Sequence, residues 1–109
     1  MIETYETAFG LILNAGNSKS KSLMAIEEAR DYNFEEAKKL VKEAEADLHI
    51  AHQMQTTMIQ SEAKGDKSDV NIMMVHAQDH LTTAMIMIDQ ANEFIHIYQI
   101  LESLIKEKK

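Results

Sequence analysis

Two histidines near the middle of the chain have the spacing and chemistry of a reactive site. His76 and His80 are four residues apart, so on a helix they lie on neighbouring turns of one face. Imidazole near neutral pH can act as a nucleophile or as a metal ligand. Three interpretations stay open: two polar residues at a helix edge, part of a zinc site that lacks further ligands, or a nucleophile oriented by its neighbour. His76 is the better candidate nucleophile, because it lies closer to an apolar stripe of the same segment.

Asp79 lies within that apolar stripe. At about 100° per residue it is in line with Ile72, Ile86 and Ile97. One interpretation is an exposed acid on an isoleucine-rich helix. If the stripe is instead an oligomer interface, symmetry brings several Asp79 carboxylates together, and they must be protonated or bind a cation. Oxygen ligands alone suit a hard ion such as Mg²⁺.

A second pair of histidines, His49 and His52, is three residues apart, which is a poorer geometry for sharing one ligand. We expect both to be buried and hydrogen-bonded. Glu93 and His96 match half of a di-iron carboxylate motif, but the sequence holds no second copy, so we discard that site.

Three amphipathic helices account for nearly all of the chain. Apolar residues recur three and four positions apart, which predicts helices at residues 2–31, 33–64 and 69–106. Gly16 marks the position at which the first of them could kink or break. Short connections make neighbouring helices antiparallel, so we expect an all-α, up-down-up three-helix bundle that forms a single domain over residues 1–109.

The expected helix ends rest on capping residues. Asn33 and Glu36 have the spacing of a capping box and are placed to begin the second helix. Gly65 is placed to end that helix, and Asp66 or Ser68 to cap the third.

The third helix is apolar on two opposite faces. One stripe runs from Met74 to Ile95, and a second lies nearly opposite and consists of Ile72, Val75, Ile86, Ile97, Ile100 and Leu104. A helix that is apolar on two faces is buried on both, whereas two other helices cover only one. We therefore expect the second stripe to pack against further copies of the chain.

Composition and charge exclude several classes of protein. The 109 residues include no proline, no cysteine and three glycines, which argues against a β-sandwich, a disulfide scaffold or a thiolate metal site. The net charge of −7 argues against nucleic acid as a partner and favours a partner with a basic face. Apolar runs fall far short of the roughly 20 residues that span a bilayer, and the first residues are acidic, unlike a signal peptide. We expect a cytoplasmic protein.

The segment around the reactive histidines resembles a signature of the enzyme IIA component of the lactose/cellobiose (β-glucoside) family of the bacterial phosphoenolpyruvate-dependent sugar phosphotransferase system. Residues 73–81 read Met-Met-Val-His-Ala-Gln-Asp-His-Leu. Residues 51–56 and 59–63 look like the same family's second helix, and Gly16-Asn17 with Ala25-Ile26 like its first. The likeness covers nearly the whole chain.

The resemblance implies a phosphotransferase component that assembles as a trimer, a nine-helix bundle. His76 matches the histidine that accepts a phosphoryl group from the phosphorylated histidine phosphocarrier protein and passes it to a cysteine of the cognate IIB protein. Asp79 matches a ligand of a structural metal ion at the trimer axis, usually taken as Mg²⁺. Gln78 and His80 match residues that support the active histidine.

Two residues depart from the family's pattern. Lys19 stands where the family commonly has Arg, and Thr82 replaces a usual Met. Neither is expected to touch the nucleophile, so the expected consequence is altered docking or packing. Because no Arg lies near His76 in the sequence, we expect the partners to supply much of the positive charge that stabilises the phosphoryl group.

The transported sugar is not encoded here, since specificity belongs to the IIB and membrane IIC partners. Among the family's substrates, cellobiose or a related β-glucoside is favoured over lactose. Two other classes of protein stay open as alternatives: a non-catalytic helical adaptor, and a small metal-binding bundle that uses His76 and His80.

Overall fold

The computed structural model describes residues 2–67 and 69–108, with side chains from Tyr5 onward in the first helix. Three helices make up this part of the chain, and it contains no strand. They are α1 (Ile2–Arg30), α2 (Phe34–Ala63) and α3 (Ile72–Glu107). The expected all-α, antiparallel three-helix bundle is confirmed, and it is a rod of 64 × 21 × 19 Å.

Small side chains let the helices approach closely. Buried alanines recur every seven residues in α2 and α3, at Ala37, Ala44, Ala51, Ala77, Ala84 and Ala91. The buried Ser18 hydroxyl of α1 donates a hydrogen bond of 2.8 Å to the Ala44 carbonyl of α2. α1 also runs unbroken through Gly16, because the buried Ala15 and Ser18 on either side hold it against the bundle. A single glycine inside a helix costs only about 1 kcal/mol, which such packing offsets.

The end of α2 is set by Gly65, as expected. Gly65 has a φ of 100°, in the left-handed region. Its N–H donates to the Glu62 carbonyl at 3.0 Å, and the Asp66 N–H donates to the Ser61 carbonyl at 3.0 Å. These two bonds form a Schellman motif, which satisfies carbonyls at the helix end.

Gly65→Ala is expected to destabilise the protein by about 1 kcal/mol, because a Cβ is strained at this φ. Gly16→Ala is the matched control, since a Cβ at Gly16 meets open space inside a helix and should stabilise by a few tenths to about 1 kcal/mol. Urea unfolding at equal protein concentration measures both. Midpoints that shift in the same direction would contradict the left-handed cap.

The start of α2 differs from the expected capping box. Asn33 precedes the helix, but its side chain makes no capping hydrogen bond. Its Nδ2 instead donates to the Glu28 carboxylate at 2.9 Å, and its N–H donates to the Glu28 carbonyl. The reason is the tight end of α1, where Tyr32 adopts a φ of 65° and turns Asn33 back toward that helix.

The start of α3 also differs from the expectation. The helix begins at Ile72 rather than at residue 69, and its cap is Asn71, whose side-chain oxygen accepts from the Met74 N–H at 2.8 Å. Asp66 does not cap α3, because it belongs to the Schellman motif of α2. Ser68, the other expected cap, lies outside the described residues.

The two apolar faces of α3 are confirmed. The first packs into the core, with Met74, Leu81 and Ile95 buried. The second, called the outer stripe below, stays between 47% and 85% exposed at Ile72, Val75, Ile86, Ile97, Ile100 and Leu104. A single subunit therefore leaves one apolar face of α3 uncovered. Within the described ranges, no helix is long and apolar enough to cross a membrane.

Candidate active site

The first half of α3 places the two histidines at the edge of the bundle. Ala77 and Leu81 are buried in a core cluster with residues of α1 and α2, and they fix the rotation of α3 at this point. His76 and His80 each precede one of them, so both imidazoles lie beside the packed face. His76 is exposed and His80 is half-buried.

The imidazoles contact each other directly. Nε2 of His80 lies 3.1 Å from Nε2 of His76, and the ring centroids are 4.5 Å apart with an angle of 83° between the ring planes. One nitrogen must donate and the other accept, so the protonation of one ring sets the role of the other. The expectation that both rings share one face is confirmed.

Lys19 of α1 is a third member of this group, and the pattern of the sequence did not predict its place there. Its Nζ lies 3.4 Å from Nδ1 of His80. Lys19 was expected to affect only docking or packing, yet it is one side chain removed from His76. Periodicity within α1 could not reveal this contact, because the contact depends on how α1 packs on α3.

The surroundings favour the neutral form of the His80 ring. Burial lowers the pKa of His80, and the positive charge of Lys19 and the neighbouring His76 lower it further. The Asp79 carboxylate acts in the opposite direction, but it does not outweigh them. A neutral ring can donate from one nitrogen and accept at the other, which the contacts on both sides of His80 require.

Gln78 faces α2 rather than the imidazoles. Its side-chain oxygen accepts from Nε2 of Gln55 at 2.6 Å, and its Nε2 lies 3.7 Å from the sulfur of Met74. Gln78 thus ties the active-site segment of α3 to α2. The expected supporting role of Gln78 at His76 stays a prediction.

Asp79 lies in the outer stripe and is exposed in the single subunit. Its backbone carbonyl accepts from the Thr83 hydroxyl at 2.9 Å, while its carboxylate forms no salt bridge with any residue that the structure describes. Carboxylate oxygens suit a hard cation such as Mg²⁺, and a meeting of several Asp79 copies at a symmetry axis stays a prediction.

A zinc site built on His76 and His80 finds no third ligand in the subunit. Among residues 2–67 and 69–108, no three His, Cys, Asp or Glu side chains are grouped so that they could hold a metal ion. Zinc sites need at least three protein ligands.

An apolar groove adjoins His76. It is lined by Tyr5 of α1 and by Asn71, Ile72 and Met73 at the start of α3. Tyr5 is 44% and Ile72 85% exposed, so the groove opens to the surface. A partner protein could therefore bind this apolar surface and reach the exposed His76 imidazole beside it.

His49 and His52 are exposed, so the expectation of buried histidines is wrong. They border an open groove between α2 and α3, opposite Asp89. The reason is register: Ala44 and Ala51 take the buried positions of α2, and the histidines fall on the flanks.

Comparison with known proteins agrees with this fold and identifies the family. A family model described as the lactose/cellobiose-specific IIA subunit of the PTS, the sugar phosphotransferase system, matches residues 6–99. The chain belongs to this family and is a component of that phosphotransferase system.

Individual relatives agree along almost their whole length. The lichenan-specific phosphotransferase enzyme IIA component of Bacillus subtilis is 42% identical over 97 residues, which cover 89% of this chain and 88% of that protein. The cellobiose-specific enzyme IIA from Bacillus anthracis superposes with a TM-score of 0.92 at 38% identity, covering 94% of both chains. A chitobiose IIA, solved in complex with HPr, gives a TM-score of 0.80 at 31% identity and covers 91% of this chain and 96% of its own.

Proposed function

We propose that this chain is a cytoplasmic phosphocarrier of sugar uptake in which His76 carries the phosphoryl group. The observation that carries this proposal is the exposed His76 imidazole, whose Nε2 lies 3.1 Å from a half-buried imidazole on the next turn. An exposed ring is reachable by two successive protein partners, and its neighbour orients it. Because the chain belongs to a phosphotransferase-system family, phosphoryl transfer is the reaction proposed for this pair of histidines.

The reaction consists of two phosphoryl transfers. In the first, the N–P bond of the phosphorylated histidine phosphocarrier protein breaks as an N–P bond to His76 forms, and the donor imidazole keeps the electron pair. In the second, a cysteine thiolate of the IIB protein forms an S–P bond while His76 regains its electron pair. Such transfers depend on in-line positioning and charge stabilisation. His76 supplies the nucleophile, and His80 fixes its ring.

Docking uses the apolar groove beside His76. Partners that bind and release in turn need a small apolar contact rather than a large obligate one. The solved complex of a chitobiose IIA with HPr is the precedent among related proteins. The net charge of −7 favours a donor with a basic face, which also supplies positive charge near the phosphoryl group. Neither nucleic acid nor insertion into the membrane has a part in this scheme.

A homotrimer covers the outer stripe of α3. Association of three copies along this stripe removes Ile86, Ile97 and Ile100 from water and brings three Asp79 carboxylates together, while Ile72 at the start of the stripe stays part of the docking groove. Mg²⁺ held by these carboxylates would offset their mutual repulsion, and its role is structural. The phosphoryl transfers themselves are made by His76 and its partners.

The sugar served is a disaccharide, and a cellobiose-type β-glucoside is favoured over lactose. Among the relatives, the Bacillus subtilis protein is named for lichenan at 42% identity and a Staphylococcus epidermidis protein for lactose at 37%. The higher identity to the lichenan-specific protein supports a β-glucoside as the sugar. Growth of a deletion strain on each sugar decides it.

The test of the phosphocarrier function is intact mass after incubation with phosphoenolpyruvate, enzyme I and the phosphocarrier protein of the same host. We expect a gain of one phosphoryl group that is lost in acid, because phosphoimidazole is acid-labile whereas phosphoserine is not. Omission of enzyme I is the control and should give no gain. An unchanged mass, with the donor shown to be phosphorylated, would contradict the proposal and favour the adaptor alternative.

A further inference from the structure

A continuous set of polar contacts runs from α1 to the reactive imidazole. Lys19 Nζ lies 3.4 Å from Nδ1 of His80, and Nε2 of His80 lies 3.1 Å from Nε2 of His76. The three side chains therefore form a row in which His80 is contacted at both of its ring nitrogens. Each contact limits which nitrogen holds a proton.

The direction of these hydrogen bonds follows from the chemistry of the first group. An ammonium group only donates, so Nδ1 of His80 must accept and carries no proton. A neutral His80 then holds its proton on Nε2 and donates it to Nε2 of His76. His76 in turn accepts at Nε2 and holds its own proton on Nδ1. The row thus selects one tautomer for each ring.

We propose that Lys19 is a positioning residue that acts through His80: it selects the His76 tautomer in which Nε2 carries the lone pair that attacks phosphorus. This inference rests on the proposed phosphocarrier function. When the N–P bond forms at Nε2 and uses that lone pair, the His80 N–H turns to a phosphoryl oxygen. The same N–H that orients the ring before transfer then stabilises the product.

Lys19 is held in place by the packing of α1. Ser18 and Ser22, on either side of it, are fully buried, and the Ser18 hydroxyl bonds the Ala44 carbonyl of α2 at 2.8 Å. α1 therefore cannot slide along α2 without breaking this bond. A fixed backbone keeps the ammonium within reach of His80, so the tautomer preference is built into the bundle.

The test compares three variants. Lys19→Met removes the donor but keeps the length of the side chain, and Lys19→Arg restores a donor. Lys21→Met is the matched control, because Lys21 lies on the same helix and pairs with Asp47 of α2 at 2.7 Å instead of with a histidine. Each variant is labelled with ¹⁵N-histidine, and the ring nitrogen shifts are read at about pH 8, where neutral imidazole dominates. The initial rate of phosphorylation by the phosphorylated donor is measured in parallel.

We expect wild type, Lys19→Arg and Lys21→Met to show His80 protonated at Nε2 and His76 at Nδ1. In Lys19→Met both rings should become tautomer mixtures, and the phosphorylation rate should fall about tenfold, the usual effect of losing one charge-assisted hydrogen bond. The helical circular dichroism of the four proteins should be the same.

Two results would overturn the inference. One is a Lys19→Met protein with unchanged tautomers. The other is an equal loss of rate in Lys19→Arg and Lys19→Met, which would mean that Lys19 serves docking. A third result separates this inference from the proposed function. If the tautomers differ between wild type and Lys19→Met but the wild type accepts no phosphoryl group, Lys19 does position the two rings and the phosphocarrier function is refuted.

Discussion

Replacing His76 by alanine is expected to abolish phosphoryl acceptance, with a loss of at least about a thousandfold in the rate of labelling. The physical reason is that the proposed nucleophile itself is removed, and the other described residues that line the apolar groove, Tyr5, Asn71, Ile72 and Met73, carry no imidazole. The fold should survive, because His76 is exposed and alanine is the most favourable residue inside a helix. Intact mass after incubation with the phosphorylated donor measures the loss.

Two other histidines of α3 serve as controls for His76→Ala. His80→Ala should slow labelling without abolishing it, since His80 orients the ring that reacts. His96→Ala should leave the rate unchanged, because His96 is exposed near the far end of the helix. Labelling that persists in His76→Ala would contradict the assignment and move the site, first of all to His80.

If the proposed trimer holds a cation on its axis, replacing Asp79 by leucine is expected to remove that metal ion and to leave the trimer intact or more stable. A leucine continues the outer stripe, so the proposed trimer would bury apolar side chains in place of carboxylates. Exchanges of buried charge for well-packed apolar groups are neutral or stabilising by about 1–4 kcal/mol. Metal content by elemental mass spectrometry and assembly by analytical ultracentrifugation measure the two effects.

The matched control for Asp79→Leu is Asp89→Leu. Asp89 is also an exposed acid of α3, but it borders the groove between α2 and α3 instead of lying in the outer stripe. We expect that variant to keep both metal and trimer. Dissociation of Asp79→Leu into monomers, or a metal content equal to that of wild type, would contradict a cation site at the axis.

The helical fold and the rotation of α3 could be predicted from the pattern of residues alone. Heptad-spaced alanines at 77, 84 and 91 predict the buried face, and the isoleucines at 86 and 97 predict the outer stripe; both faces are confirmed. Gly65 was also predictable, because a residue with positive φ is needed to end α2 and glycine adopts it most easily. The spacing of four residues also predicted that His76 and His80 lie on the same face of α3. All of these properties are local, set by the geometry of a single helix.

The contacts between side chains of different helices could not be predicted in the same way, because they depend on how the helices pack. Lys19 reaches His80 because of the offset at which α1 packs along α3, and no spacing within α1 encodes that offset. Asn33 turns to Glu28 because α1 ends in a left-handed residue, which removes the capping role that its position predicts. His49 and His52 stay at the surface because the alanines of α2 take the buried register. Periodicity fixes the face on which a residue lies, whereas the contacts of polar side chains depend on the offset between packed helices, which the pattern along one helix does not contain.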